Sequence, residues 1–170
     1  MWIEMKQLKN LDCTNKKIIV RVDLNVPVFE DKITDYSRIH AILPTLEKLT
    51  KNKNKVFLIA HFGRPKGKVN KKYSIEFLCP ELKKLSNLNK VHFLDSCDQK
   101  IIEKKISKMG FGEICLLENI RFNAEEEKND LNFSKQLSSC FDIYINDAFS
   151  ASHRNHASIT GITKYLPSYA

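Results

Sequence analysis

The first strand of the predicted fold is Ile18-Ile19-Val20-Arg21-Val22, and it runs directly into the polar group Asp23-Leu24-Asn25. Three further apolar runs, at residues 56–60, 114–117 and 143–145, are also followed by polar, anion-seeking side chains. Buried parallel strands are typically continuous apolar runs, and open α/β sheets bind ligands beyond the carboxyl ends of their strands. We therefore expect these polar side chains to share one cleft at the sheet edge. The residues expected there are Asp23, Asn25, His61, Arg64, Arg121 and Arg154.

Strands alternate with helices along the chain, which predicts βαβ units, a parallel sheet and right-handed crossovers. Strands are predicted at residues 18–24, 56–60, 91–94, 114–117 and 143–145, with a turn or small hairpin at 28–34. Helices are predicted at residues 39–49 after a cap at Thr34 or Asp35, and at 74–85, 98–109, 130–140 and 157–166. Pro44 and Pro80 are expected to bend or break two of them. The predicted fold is α/β: a three-layer αβα, doubly wound parallel sheet of Rossmann-like type, in a single domain.

Composition narrows the class of protein. A chain of 170 residues with 42% hydrophobic content suits one globular domain, and it contains no apolar run of membrane-spanning length. Residues 1–6 lack the apolar stretch of a signal peptide. The five cysteines are far apart, with no Cys-x-x-Cys pair, which argues against a disulfide framework or zinc ribbon and favours the cytoplasm. The net charge of +8 indicates anionic partners only in general terms, since lysine runs such as residues 51–55 are typical of solvated loops.

Arginine is rare in this lysine-rich chain and occurs mainly at strand ends and in loops. The arginines are Arg21, Arg38, Arg64, Arg121 and Arg154. A planar guanidinium offers bidentate donors to carboxylate and phosphate oxygens, so this placement indicates anion recognition, with a structural salt bridge as the alternative for each. Arg21 is the exception, because it precedes Asp23 within the strand and is predicted to have a buried structural role.

Two polar pairs near the strand ends have more than one interpretation. Asp23 and Asn25 are two residues apart in extended chain and point to the same side, where they can hydrogen-bond a substrate hydroxyl; an Asx-type turn is the alternative. His61 can donate to an anion, whereas no adjacent nucleophile supports a general-base role. His153 and His156 have His-x-x-His spacing without a third ligand nearby, so metal binding is the weaker interpretation.

No nucleotide-binding loop is predicted. Gly63-Arg64-Pro65-Lys66-Gly67-Lys68 lacks the spacing of a P-loop, and its proline removes a backbone donor. Gly110-Phe111-Gly112 lacks a third glycine and follows a helix rather than a strand. The expected cleft therefore suits a small anion.

Four segments together resemble the phosphoglycerate kinase family. They are Arg21-Val22-Asp23-Leu24-Asn25-Val26-Pro27, His61-Phe62-Gly63-Arg64-Pro65, Leu117-Glu118-Asn119-Ile120-Arg121-Phe122, and Asn146-Asp147-Ala148-Phe149 followed by His153-Arg154. The resemblance runs from about Lys6 to the end of the chain. Two departures are Phe62, where leucine is commoner, and Ser150-Ala151-Ser152 in place of Gly-Thr-Ala.

The resemblance implies reversible phosphoryl transfer between 1,3-bisphosphoglycerate and Mg-ADP, giving 3-phosphoglycerate and Mg-ATP, in glycolysis and gluconeogenesis. The residues implied to grip the 3-phosphate are His61, Arg64, Arg121 and Arg154. Asp23 and Asn25 are implied to hold the 2-hydroxyl. Arg38 is implied as the catalytic residue, because it would stabilise charge on the transferring phosphoryl group. The implied substrate-binding set is completed by Leu24, Phe62 and Gly63.

The resemblance covers only the family's N-terminal, substrate-binding domain, here residues 1–170. The C-terminal domain that would bind Mg-ADP or Mg-ATP is missing from the sequence, and no closing element is predicted at residues 167–170, which favours a truncated or partial protein. We expect this chain alone to bind 3-phosphoglycerate weakly, to bind no nucleotide and not to turn over. Family members are usually monomeric and cytoplasmic, with no nucleic-acid or membrane partner.

Three classes of function remain open from the sequence. The first is the kinase, of which this chain carries the substrate site. The second is a stand-alone anion-binding module without catalysis. The third is a basic nucleic-acid-binding domain, which the net charge alone suggests and which the aromatic residues, lying mostly in apolar stripes, do not favour.

Overall fold

The computed structural model of the chain describes residues 6–86, 88 and 90–170. Residues 1–5, part of the segment predicted not to be a signal peptide, lie outside the described residues. The strands are β1 (Lys17–Val22), β2 (Val28–Phe29), β3 (Lys32–Ile33), β4 (Lys55–Ile59), β5 (Val91–Leu94), β6 (Ile114–Leu117), β7 (Ile143–Asp147) and β8 (Ser168–Tyr169). The α-helices are α1 (Ser37–Lys51), α2 (Leu78–Ser86), α3 (Gln99–Lys108), α4 (Ala124–Glu127) and α5 (Leu131–Ser138).

Six strands form one parallel sheet in the order β5-β6-β4-β1-β7-β8. β2 and β3 make a separate antiparallel hairpin at the position predicted for one. The connections through α1 and α2 move along the sheet toward β5, and those through α3 and α5 move back toward β8. The two pairs of helices lie on opposite faces of the sheet, as right-handed connections require. The predicted three-layer, doubly wound fold is confirmed.

Alternate residues of each strand enter two separate cores. Ile18, Val20 and Val22 of β1 belong to the core that also contains residues of α1 and α2. Ile19 of β1 belongs to the opposite core, with residues of α3, α5 and the helical segment after β7. Both faces of the sheet are therefore covered, which explains why its central strands are continuous apolar runs.

Two aspartates begin helices where the sequence predicted them. The Asp98 carboxylate accepts hydrogen bonds from the backbone N–H groups of Lys100 and Ile101 at 2.9 and 3.2 Å. Asp130 accepts from the Phe133 N–H at 2.7 Å. Such side chains satisfy N–H groups that lack a partner within the helix.

The structure corrects three local predictions. Ser168–Tyr169, where no closing element was predicted, is the sixth strand of the parallel sheet and pairs with β7. Ser74 does not cap α2, which begins at Leu78; its hydroxyl instead accepts from the Glu76 N–H at 3.3 Å and donates to Glu118 at 2.7 Å. The final predicted helix is a π-helical turn at Ala157–Gly161 followed by a 3₁₀ turn at Ile162–Lys164.

α1 continues through Pro44 without the predicted break. Pro44 is exposed, and its ring removes the N–H that would bond the carbonyl of His40.

None of the helices in residues 6–86, 88 and 90–170 is long and apolar enough to cross a lipid bilayer.

Replacing Pro44 with alanine should raise the free energy of unfolding by about 1–2 kcal/mol. The gain in helix propensity exceeds the entropy that the unfolded chain recovers when proline is removed. Urea unfolding followed by circular dichroism measures the change. The control is Glu47→Ala at an exposed position of the same helix, where loss of the surface ion pair with Lys51 should leave the free energy of unfolding nearly unchanged. A destabilised Pro44→Ala variant would contradict the prediction.

Candidate anion-binding site at the carboxyl edge of the sheet

The register of the parallel sheet brings its strand ends to one level. Arg21 of β1 pairs with Ile59 of β4 and with Asn146 of β7, and Leu58 of β4 pairs with Leu116 of β6. The polar groups that follow β1, β4, β6 and β7 therefore emerge along the same edge. This edge is called the cleft, and it includes the polar residues Asp23, Asn25, His61, Arg64, Arg121 and Arg154 that follow these strands.

The loops after β1, β4 and β6 bond to one another through Gly63. The Gly63 N–H donates to the Asn25 side-chain oxygen at 3.0 Å. The Gly63 carbonyl accepts from Arg121 Nη1 at 2.9 Å. The structure thus places Asn25, Gly63 and Arg121 together, as the sequence predicted for residues of one site.

Gly63 also has a conformational reason to be glycine. Its φ is +60°, which L side chains rarely adopt, and an added Cβ would lie 2.5 Å from the Tyr73 ring. The close approach of the ring leaves no room for a side chain while the loop keeps its present bonds to Asn25 and Arg121.

Asn119 connects two loops of the cleft, a role that its sequence motif did not predict. It is fully buried. Its side-chain amide donates to the carbonyls of Phe62 and Tyr73 at 2.7 and 2.8 Å, and its oxygen accepts from the N–H groups of Phe62 and Arg121 at 3.3 and 3.1 Å. One side chain therefore fixes the loop after β4 against the loop after β6.

Asp23 is held by three donors. Its side chain accepts from the Asn25 N–H at 3.2 Å, which is the predicted Asx-type alternative, and its other oxygen accepts from Arg38 and Ser150. Burial opposes ionisation of Asp23, but the bonds from Ser150 and Asn25 and the charge of Arg38 outweigh it and hold the pKa of this carboxyl below its usual value. A substrate hydroxyl reaching Asp23 would exchange with one of these partners.

His61 is buried beside two guanidinium groups. Arg21 Nη2 lies 2.9 Å from His61 Nδ1. Burial, together with the positive charges of Arg21 and Arg121, lowers the pKa of His61 from 6.5 to about 3. His61 is therefore neutral at physiological pH and can hydrogen-bond an anion without contributing charge.

Three arginines follow strands at this edge, and the protein does not neutralise their charge fully: Arg64 is exposed, whereas Arg121 is buried. Among the described residues, no carboxylate oxygen lies within 4.0 Å of the Arg64 or Arg154 guanidinium. Arg121 is buried, and its Nε makes no hydrogen bond although Glu127 lies 3.4 Å away. Burial and the nearby positive charge of Arg154 both lower the pKa of Arg121. An anion near Arg121 and Arg154 would relieve the repulsion between their positive charges.

Two predicted site residues have side chains that pack against other apolar groups of the protein. Leu24 is fully buried in the core on the α1 face, so its side chain is unavailable to a ligand. Phe62 packs edge-on against Phe77 with ring centroids 5.5 Å apart, and its backbone N–H and carbonyl are bonded to Asn119. The predicted side-chain set is therefore smaller than the sequence motifs suggest.

A separate cavity of about 480 Å³ lies beyond the ends of β5 and β6. Its lining includes Asp95, Asp98, Glu118 and Glu125. Because these carboxylates repel anions, we assign anion binding to the arginine-lined cleft.

The Gly63–Lys68 loop is not arranged as a phosphate cradle. The Gly63 N–H donates to Asn25, the Gly67 N–H to the Arg121 carbonyl at 3.2 Å, and the Lys68 N–H to the Pro65 carbonyl at 3.3 Å. Within the described part of the chain, no group of three or more histidine, cysteine, aspartate or glutamate side chains could hold a metal ion.

The fold defines the class: an α/β protein whose parallel strands end at one edge lined by polar and cationic residues. The sequence model of the phosphoglycerate kinase family matches residues 8–170. The chain belongs to the phosphoglycerate kinase family.

Individual relatives agree with this assignment. The chain is 46% identical over 168 residues to the phosphoglycerate kinase of Wolbachia pipientis wMel, covering 99% of the chain and 42% of that relative. It is 46% identical over 169 residues to that of Coprothermobacter proteolyticus, covering 99% and 43%. The phosphoglycerate kinase structure from Pyrococcus horikoshii OT3 matches with a TM-score of 0.85 and 31% identity, over 97% of the chain and 42% of that structure. The chain thus spans less than half the length of these relatives.

Gly63→Ala should lower the free energy of unfolding by about 2–4 kcal/mol, because it combines an unfavourable φ with a clash against Tyr73. Gly112→Ala is the matched control: its φ is +83°, but the nearest atom to a new Cβ, the Thr50 carbonyl oxygen, is 3.4 Å away. The control should cost only about 1 kcal/mol. Urea unfolding compares the two variants, and equal losses would show that the close approach of Tyr73 does not matter.

The pH dependence of stability should report the buried His61. Its folded-state pKa of about 3 lies below the ordinary value of 6.5, so the unfolded chain binds this proton first as the pH falls. The stability associated with neutral His61 is complete above pH 6.5 and is lost progressively toward pH 3, by about 2 kcal/mol at pH 5. Urea unfolding at pH 8 and pH 5 should show a smaller difference for His61→Gln than for the wild type, whereas His40→Gln, at an exposed position of α1, should match the wild type. An unchanged difference in His61→Gln would contradict the assignment.

Proposed function

We propose that this chain is the substrate-binding part of a phosphoglycerate kinase, and that the cleft binds 3-phosphoglycerate and 1,3-bisphosphoglycerate. The observation that carries the proposal is the proximity of Arg121 and Arg154 to neutral His61 at one sheet edge, with Arg121 Nε buried and without a hydrogen bond; Arg64 is added from the motif that follows β4. Family membership supplies the identity of the substrate. The fold alone would be compatible with many small anions.

The two ends of the substrate would meet different parts of the cleft. The 3-phosphate would bind to His61, Arg64, Arg121 and Arg154. Asn25 and Asp23 would bind the 2-hydroxyl, with the substrate displacing the bond from Ser150 to Asp23. This division follows charge: the unneutralised guanidinium groups suit the phosphate, and the acceptor oxygens suit a hydroxyl.

Arg38 would act at the transferring phosphoryl group. It lies in the first turn of α1, and its side chain is 41% exposed while it pairs with Asp23. Phosphoryl transfer depends on positioning and on stabilising charge spread over the phosphoryl oxygens, and a guanidinium supplies both. Mg-ADP or Mg-ATP would bind a second domain outside this chain, as the longer relatives suggest.

Removing a phosphate-binding arginine should weaken 3-phosphoglycerate binding. Calorimetric titration of Arg64→Ala and Arg154→Ala should each show a loss of about 1.5–3 kcal/mol, the contribution of a charge-assisted hydrogen bond. Neither arginine pairs with a carboxylate of the described residues, so its loss leaves no acid there without a partner. Lys104→Ala, at an exposed position of α3, removes the same unit charge and should leave affinity unchanged. Equal affinities in all four proteins would contradict the substrate assignment.

Turnover separates the kinase from a binding module. Because Mg-ADP or Mg-ATP is proposed to bind a second domain, the 170-residue chain should not phosphorylate 3-phosphoglycerate with Mg-ATP in a coupled assay. Adding the C-terminal part of a related phosphoglycerate kinase by gene fusion should restore turnover if the chain is a kinase substrate domain. Full activity of the chain alone would refute the division of labour; an inactive fusion with intact substrate binding would favour the binding module.

A further inference from the structure

A chain of buried polar groups lies behind the cleft and reaches His61. It begins at Glu126 of α4, which is fully buried although it lies between two other glutamates, Glu125 and Glu127. The Ser158 hydroxyl donates to Glu126 Oε1 at 2.6 Å and the Ser158 N–H donates to Oε2 at 2.8 Å. Tyr144 of β7 donates its hydroxyl to the Ser158 carbonyl at 2.8 Å, which fixes Ser158 from the other side.

Arg21 continues this chain toward the cleft. Its Nε donates to the Ser158 hydroxyl oxygen at 3.1 Å, and another of its nitrogens donates to the Val22 carbonyl. The side chain is 1% exposed. Glu126 is the carboxylate whose charge most favours the charged form of this buried guanidinium.

The bond from Arg21 determines which nitrogen of His61 carries its proton. Arg21 Nη2 lies 2.9 Å from His61 Nδ1. A guanidinium has only donors, so Nδ1 must be the acceptor, and the proton of the neutral ring lies on Nε2. An Nε2–H group is a donor, which is what a phosphate oxygen requires.

The charges around His61 reinforce this neutral form. The positive groups are Arg21 from β1, Arg121 from the loop after β6 and Arg154 from the loop after β7, while Asp23 is the negative one. Cations outnumber anions, and the ring is 6% exposed. Protonation of Nδ1 would also abolish the bond from Arg21.

We propose that Glu126 is a positioning residue which, through Ser158 and Arg21, fixes His61 as the Nε2–H tautomer and so gives the cleft a permanent neutral donor for the substrate phosphate. The identity of the ligand rests on the proposed function. The tautomer and its control by Glu126 do not. Glu126 itself touches no substrate, and its effect passes entirely through buried side chains.

The tautomer is measured directly on the ligand-free 170-residue chain. Long-range ¹H–¹⁵N correlation spectra of ¹⁵N-histidine-labelled protein distinguish the two nitrogens, and the signal that disappears in His61→Gln identifies the residue. We expect His61 to be an Nε2–H imidazole from pH 8 down to pH 5. A proton on Nδ1, or titration of His61 in this range, would overturn the proposal without involving any ligand.

Variants then test the role of Glu126. Glu126→Gln should shift the His61 nitrogens toward the values of a tautomer mixture and weaken 3-phosphoglycerate binding by about tenfold, the effect of losing one well-placed hydrogen bond to a charged ligand. The matched control is Glu125→Gln, which removes the same charge at the adjacent, exposed position and should change neither. Ser158→Ala interrupts the chain at its middle and should reproduce the spectral change if Glu126→Gln does not fold.

These measurements separate the two proposals. If the wild type shows the expected tautomer but no affinity for 3-phosphoglycerate, the substrate assignment fails and the positioning role stands. If Glu126→Gln and Ser158→Ala both keep the wild-type tautomer, the positioning role fails, whatever the affinity.

Discussion

The charge of Arg21, enclosed at the centre of the sheet, is the constraint on which the cleft depends. A buried cation is tolerated only when it is paired and hydrogen-bonded, and removing one partner of a buried ion pair typically costs about 3–5 kcal/mol. Arg21 meets this requirement with Ser158, Val22 and His61, and with the charge of Glu126. The partners lie on β1, on α4 and in the segments after β4 and β7. Satisfying one guanidinium therefore fixes the relative positions of elements far apart in the sequence.

The same arrangement leaves the outer side of the cleft positively charged. Arg21 and Arg154 each lower the pKa of Arg121, and all three lower that of His61. A folded protein gains no stability from bringing like charges together, so such a cluster indicates a function in binding. The carboxylates near it have partners of their own: Glu126 bonds to Ser158, Asp23 bonds to Arg38 and Ser150, and Glu127 lies 3.4 Å from Arg121.

The sequence predicted much of the fold because local physics determines those parts. The strands at Val91–Leu94 and Ile114–Leu117 have the predicted limits, since they are apolar runs bounded by polar residues. β8 was missed because two residues at the end of a chain carry no periodic pattern, and only their pairing with β7 defines them. Pro44 was given too much weight, because the apolar face of α1 packs against the sheet and outweighs one absent hydrogen bond.

The site was predictable in part. The carboxyl-edge rule identified the polar groups after β1, β4, β6 and β7, and the structure brings their loops together. Glu126 could not be recognised, because an acidic triplet reads as an exposed loop or a helix start, and only the fold shows that one of the three faces a buried serine. The role of Asn119 could not be predicted for a similar reason. Its four side-chain hydrogen bonds go to backbone groups, and only the fold brings the carbonyls of Phe62 and Tyr73 beside it. The side chain of Leu24 was included through its motif alone, although the strand alternation places it in the core.

The most direct test of the central claim is a titration of the ¹⁵N-labelled chain with 3-phosphoglycerate, followed through the backbone amide and arginine Nε–H signals. We expect the largest chemical-shift changes at the carboxyl edge of the sheet. They should occur in residues 23–25 and 61–64 and at the side chains of Arg38, Arg64, Arg121 and Arg154. Shifts centred on the acidic cavity near Asp95 and Asp98, or spread evenly over the lysine-rich surface, would contradict it.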